Sequence, residues 1–484
     1  MKIAIIGTGP SGWAAGMQLL RLGFEITLID SALVEDDDHN NSKKPITSSL
    51  TKKLYFGSDL PYRKFPFGPD LTAIGVDPIS SFTSGGLSLV WGATMLPYCK
   101  ADTIDWPFDI SVLNGKFREI SELLPIAGNT DQLDEIYGNF VSRRGIFPSR
   151  RMLQLLERAN KNKIKGSLVG LSRLAVETGT MQKPGCSYCN QCISGCPSNM
   201  IWNSKGMTGH GNHVKMRVMK LTEVENHVYV DGLGINGETI STLCFDKVFL
   251  GTGSVESFRI LANSGIVSDS AILQDSSTFF LPLFALPKIG TSEGNSFGLS
   301  QCFIRIDGDT GKSGTQFQLY EYSDDLILRA RKALPFGNFI PTGLLKCLLS
   351  KLVVAIGYLS SQESPSIHMQ LAEDGSVELR RNRFGTSLKG RKKSIKSAIL
   401  NLGNVTKQHG LIPLRFLSQI ATPGEGVHFG SWLPMGKNCD TLGRPNGFKN
   451  IHVIDSSILP SIAAGPITFT VMANAMRIAE ESVK

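Results

Sequence analysis

Four cysteines fall within eleven residues, Cys186, Cys189, Cys192 and Cys196, spaced C-x2-C-x2-C-x3-C and followed by Pro197. Bacterial ferredoxins ligate iron–sulfur clusters at this spacing, because two-residue gaps let successive thiolates converge on one cubane. Tetrahedral zinc competes, although it usually draws on two separated Cys or His pairs. A redox or structural thiol cluster is the third reading. In two-cluster ferredoxins the last Cys of such a run serves the other cluster, and only one run is present here. Closure of a [4Fe–4S] cluster by Cys196 is the expected arrangement. A remote thiol such as Cys99, or a [3Fe–4S] cluster, is the alternative.

A second constellation opens the chain. Lys2 to Ile6 reads as a buried parallel strand, Gly7-Thr8-Gly9-Pro10-Ser11-Gly12 follows, then a helix that stops at Gly23. The next strand, Glu25 to Ile29, ends in Asp30, 18 positions after Gly12. In that context Gly7 permits a tight turn, Gly9 lets the backbone approach a pyrophosphate, and Gly12 allows close helix–strand packing. The helix N-terminus offers free N–H groups to phosphates, and Asp30 offers a carboxylate to ribose hydroxyls. These residues fit FAD and NAD equally.

Further segments resemble the glucose–methanol–choline (GMC) flavoprotein oxidoreductases over roughly half of the chain. They are Ser84-Gly85-Gly86-Leu87-Ser88-Leu89-Val90-Trp91-Gly92, Asp105-Trp106-Pro107, Val248 to Ser257, His428 to Gly436, Val453 to Pro460 and Thr470-Val471-Met472-Ala473. The resemblance implies FAD, with Gly7, Gly9, Gly12 and Asp30 on its ADP half. It implies that Gly86, Ser88 and Gly92 line the flavin and pyrophosphate, and that Asp455 lies near the ribityl–pyrophosphate segment. It places His428 against the flavin ring. Alcohol oxidation needs a base for the O–H proton while hydride leaves carbon for flavin N5, and imidazole suits neutral pH. One departure stands out: where the family places His or Asn before the last helix, this sequence has Pro466, preceded by Gly465. A second polar group must come from elsewhere, Thr468 being one candidate, or be absent.

Flavin and cluster together imply a dehydrogenase oxidising an alcohol, a sugar or polyol on family grounds, and passing single electrons to an acceptor protein or quinone. An oxygen-using oxidase with a structural cluster, and a non-catalytic electron-transfer flavoprotein, are the alternatives.

The elements that must position these groups follow from composition and pattern. Fifty basic and 42 acidic residues leave a formal charge of +8 over 484 residues, and 41% of residues are hydrophobic. This is globular composition, and the diffuse basic excess gives little support to nucleic-acid binding. No apolar run of about 18 residues predicts a membrane span. The opening apolar run is too short for a secretory signal, and the expected location is cytoplasmic. The βαβ opening predicts an α/β fold, and the GMC resemblance implies a Rossmann-like FAD-binding domain from 1–100, 200–270 and 420–484, and a discontinuous α+β substrate domain from 101–185 and 271–419. Segment 184–200 forms the cysteine loop. This is the architecture shared with p-hydroxybenzoate hydroxylase. Residues 35–53 read as an exposed loop, 106–183 as mostly helical, and Leu281 to Leu286 and Gln316 to Tyr322 as strands. The last twenty residues read as an amphipathic helix. The apolar stretch 339–359 reads as one helix, either roofing the active site or contacting a membrane surface.

Overall fold

The computed structural model describes the chain except residues 32–70, 194–195, 235, 287–296, 309–312, 322–326, 328–330 and 332–336. The acidic segment 35–53 lies outside the described residues.

Ile3–Ile6 is apolar and buried on both faces, as a central parallel strand must be. It is flanked by Lys247–Leu250 and Ile26–Asp30, and these by Ile451–Val453 and Asn212–Lys215, all in parallel. Four segments remote in sequence thus build one five-stranded sheet. Its helices are Pro10–Arg21, which starts on Pro10 after Gly9, and Ser254–Asn263. The final helix, Thr468–Glu481, packs against Pro10–Arg21. The expected amphipathic helix is therefore present, but Phe469 to Ala479 is buried on every side because two helices enclose it.

Arg217–Val224, His227–Leu233 and Thr239–Phe245 form an antiparallel meander beside this sheet. A larger antiparallel sheet runs in the order Leu411–Pro413, Thr278–Ala285, Leu352–Tyr358, Thr315–Glu321, Cys302–Ile306 and Ser167–Leu171. Side chains alternate across it. Phe279, Leu281, Leu283, Phe317, Leu319, Val353 and Ala355 share a second core with helix Leu388–Thr406, through Ile395, Ile399 and Leu402. Thr278, Phe280, Gln318, Tyr320, Ile356 and Tyr358 point the other way, into a cavity. A mixed α/β fold with parallel and antiparallel sheets results, as expected.

Two expectations need correction. Segment 339–359 is not one helix: Thr342–Leu349 is helical, and Leu352–Tyr358 is a strand. The β-branched Val353 faces the second core while Val354 and Ile356 face the opposite side, which fits a pleat and not a helical stripe. Leu352–Tyr358, a third of the stretch, is built into the sheet, whereas the helix Thr342–Leu349 leaves Leu344 and Leu348 exposed. No helix among the described residues is long and apolar enough to cross a membrane. Segment 106–183 is less helical than expected: Asn114–Leu123, Asp134–Tyr137 and Arg150–Lys161 are helices, whereas Ser167–Leu171 joins the large sheet.

His452 has a structural role in the parallel sheet. It pairs in register with Phe249, their rings stack 5.1 Å apart, and its Nδ1 lies 3.0 Å from the Leu442 carbonyl. Burial pushes its pKa from 6.5 down to about 4. Between those values the unfolded chain binds a proton that the folded one does not, so stability falls as pH drops through the window. The loss is at most about 3 kcal/mol. His452→Phe is expected to flatten the decline in denaturant-derived stability between pH 7 and 4. An equally steep decline in the variant would refute the assignment.

Candidate active site

The glycine turn and the family-like loop are laced together. Thr8 donates to Asp30 through its N–H at 2.9 Å and through its hydroxyl. Gly85 N–H donates to Thr8 Oγ1 at 3.0 Å. Ser88 Oγ donates to the Gly85 carbonyl at 2.6 Å and lies 3.0 Å from Ser204 Oγ, which reaches the Thr8 carbonyl at 2.9 Å. The glycines do different work. Gly7 has φ +93, and a Cβ at Gly12 would overlap the Gly7 carbonyl. A Cβ at Gly9 meets no protein atom within 4 Å. The space beside Gly9 is cavity, faced across by Gly86, whose Cβ would stand 3.4 Å from Gly9 Cα.

Asp455 closes the cradle. Its carboxylate accepts from Gly253 N–H at 3.0 Å, Ser257 Oγ at 2.6 Å and Ser457 N–H at 2.9 Å. Burial pushes its pKa up, against these hydrogen bonds. Gly253 opens the helix Ser254–Asn263, so Asp455 sits at a helix N-terminus, where the dipole favours negative charge. Arg217 and Glu256, 3.5 Å apart, line the same cavity.

One cavity of about 660 Å³ runs from Asp30 past Gly9, Gly86, Ser88, Gly92 and Asp455 to His428. That size falls within the roughly 300–1,000 Å³ of cofactor and ligand pockets. The structure thus brings Gly7, Gly9, Asp30, Gly86, Ser88, Gly92, Asp455 and His428 to one wall-to-wall chamber, while Gly12 packs behind it.

His428 lines the same cavity. Its backbone carbonyl accepts from Ser276 N–H at 2.9 Å, and its ring lies against Tyr358, tilted by 34° with centroids 4.9 Å apart. Val427 and Ser431, one before it and one three residues after, have φ of +56. For β-branched valine this is a strained conformation of the kind that accumulates at functional sites. His428 Nδ1 is buried without a hydrogen-bond partner among the described residues. Burial pushes the imidazole from 6.5 down to about 4, which keeps it neutral and able to accept a proton at pH 7. Asp275, behind the same segment, is pushed up to about 7 by burial, and its Oδ1 has no partner among the described residues. Pro466 and Thr468 both line the cavity.

The cysteine loop leads directly into this site. Trp202 N–H donates to the Ala175 carbonyl at 2.9 Å, and Trp91 Nε1–H donates to the Trp202 carbonyl at 2.9 Å. Ser204 then bonds the glycine turn. Within the loop Tyr188 N–H donates to Cys186 Sγ at 3.4 Å, and Met200 N–H to Cys196 Sγ at 3.3 Å. Burial, and the neighbouring thiols, push the Cys186 and Cys192 thiols up. The four sulfurs share one loop, but they are not drawn into a ligand set. Among the described residues no group of three or more His, Cys, Asp and Glu side chains is gathered to hold a metal ion. Cys99 belongs elsewhere, buried beside Tyr137 and Phe303 with its thiol donating to Asp102 at 3.2 Å.

Sequence reasoning missed Thr8, Ser204, Tyr358 and the Gln318–Tyr320 pair. Thr8 lay inside the recognised turn, and the others carry no motif.

The fold belongs to the class with a parallel dinucleotide-type sheet joined to a large antiparallel sheet that roofs a shared cavity. Among solved structures 636 chains match it. One of them, pyridoxine 4-oxidase from Mesorbium loti, superposes with a TM-score of 0.62 at 14% identity, over 99% of this chain and 98% of that one. The likeness is one of fold. No family model matches the sequence, and no curated protein does.

Proposed function

We propose that this protein is an FAD-dependent oxidoreductase that oxidises a small-molecule alcohol, with His428 as the base. The observation that carries the reading is the single cavity joining the glycine cradle to an imidazole kept neutral by burial. The GMC resemblance and the shared fold support it. Gly9 and Gly86 leave backbone-walled room for a pyrophosphate, Asp30 offers acceptors to ribose, and Asp455 offers a carboxyl at a helix N-terminus. Bound there, FAD supplies the acceptor for a hydride. The chain's own part is to hold the alcohol against His428, take its hydroxyl proton on the imidazole, and exclude water from the chamber. Wild-type protein should release FAD on denaturation, and its flavin should bleach anaerobically with an alcohol. Absence of flavin, or bound NAD in its place, would refute the reading.

The cysteine loop supports a second element of the proposal, an iron–sulfur cluster on Cys186, Cys189, Cys192 and Cys196. Its support is the ferredoxin spacing and the N–H donors aimed at two of the sulfurs. The loop must tighten to ligate, and no step of the oxidation is routed through it. Anaerobic preparations should hold iron and acid-labile sulfide at about four each per chain. Serine at Cys186, Cys189 or Cys192 should remove them. Stoichiometric zinc without iron would sink the assignment. The dehydrogenase form of the reading, with electrons leaving to a one-electron acceptor in preference to oxygen, depends on the same result.

A further inference from the structure

Pro466 brings no donor to the cavity that it lines, and Gly465 brings no side chain. Behind them runs the strand Thr315–Glu321, so close that a Cβ at Gly465 would overlap Gln316 Oε1. Gln318 is the next residue on the same face of that strand, roughly 7 Å further on. It is 3% exposed, and what remains exposed opens on the cavity. Tyr320 O–H donates to its Oε1 at 2.9 Å and fixes the amide. Its Nε2 has no hydrogen-bond partner among the described residues and does not belong to the fully buried unpaired groups. Gln318 pairs with Ile356 and Gln316 with Tyr358, so Gln318 stands diagonal to Tyr358, whose ring lies against His428. Diagonal neighbours lie roughly 7–8 Å apart, within reach of long side chains.

We propose that Gln318 is the second polar group at the alcohol oxygen, taking the place that Pro466 leaves empty, with Tyr320 as its positioning residue. The proposal rests on the alcohol-oxidising reading above. As the O–H bond breaks, its proton passes to His428. As the C–H bond breaks, its hydride passes to the flavin, which is reduced by two electrons, and a carbonyl forms. The oxygen gains negative charge on the way. The Gln318 amide N–H gains its only partner when that oxygen arrives, and the hydrogen bond strengthens as the charge grows. Phe280, Ile356, Tyr320 and Tyr358 form the rest of this wall, and they suit a flat apolar body better than a polyol.

The test uses the holoenzyme with benzyl alcohol, cinnamyl alcohol and glycerol as reductants, and benzaldehyde as a carbonyl probe. Gln318→Met keeps the volume and removes the donor. It is expected to slow flavin bleaching about 10²-fold, as loss of an oxyanion donor does, with FAD content and melting temperature retained. Tyr320→Phe should slow bleaching about five- to tenfold, the worth of one neutral hydrogen bond. The infrared carbonyl band of bound benzaldehyde, lowered in the wild type, should return toward its position in apolar solvent in Gln318→Met, which a packing role would not produce. Unchanged bleaching in Gln318→Met overturns the proposal. So does a wild-type benzaldehyde band without a hydrogen-bond shift, a result independent of any variant's folding. A loss confined to Tyr358→Phe overturns it in favour of the phenol. A flavin that none of the three alcohols bleaches overturns the alcohol-oxidising reading, and this proposal with it.

Discussion

Replacing Gly9 by valine is expected to yield a folded protein that retains no flavin. Gly9 caps the helix Pro10–Arg21 with φ −63 and ψ −178, a conformation that any residue adopts. A Cβ there meets no protein atom within 4 Å. Nothing in the protein therefore requires glycine at this position. What valine does fill is cavity space beside Gly9, in the chamber that Gly86 also lines. Visible flavin absorbance should vanish, while far-ultraviolet circular dichroism stays that of the cofactor-free wild type. Gly12→Val separates the two roles of the turn, because its side chain would overlap the Gly7 carbonyl and should prevent folding altogether. A Gly9→Val protein that keeps stoichiometric FAD would remove the cofactor assignment from this turn.

The second large effect belongs to His428. His428→Ala should slow flavin reduction by an alcohol about 10²–10⁴-fold, the usual worth of a general base. FAD content should not change, because none of the hydrogen bonds that lace the glycine turn and hold Asp455 involves the imidazole. The sign of the pH dependence follows from the environment. Burial disfavours the charged imidazolium and pushes the group to about 4, so the basic form is present above that pH and is lost below it. The reductive rate should rise with pH through about 4 and then level, well below the range of an ordinary histidine. Asp275, pushed up to about 7 behind the same segment, is the other group that titrates nearby. An inflection near 7 that persists in His428→Ala belongs to Asp275, whereas the limb near 4 should disappear. An alanine variant reducing its flavin at the wild-type rate would leave His428 a packing residue against Tyr358.

The glycine turn was legible because its chemistry is local. A tight turn at Gly7, a close backbone approach at Gly9 and close helix–strand packing at Gly12 all lie within six residues. His428 and Asp455 were legible only through the family-like blocks, since nothing in their immediate neighbours distinguishes a cavity histidine from a core one. His452 shows the difficulty: it is as depressed in pKa as His428, yet it stacks on Phe249 inside the sheet. The stretch 339–359 misled because a continuous apolar run carries no period. Only the pairing of Leu352–Tyr358 with two neighbouring strands decides that it is pleated.

The sequence by itself determined the βαβ opening, the cysteine spacing and the lack of a polar side chain at Pro466, all of which are properties of neighbours along the chain. The tertiary structure decided which remote residues share the chamber. Gln318 and Tyr320 reach it because strand alternation sends Phe317 and Leu319 into the second core and turns their neighbours toward His428. It also left the four thiols on one loop without gathering them. Spacing limits how close ligands can come, but convergence depends on the backbone between them, and a pattern of residue types does not encode that path.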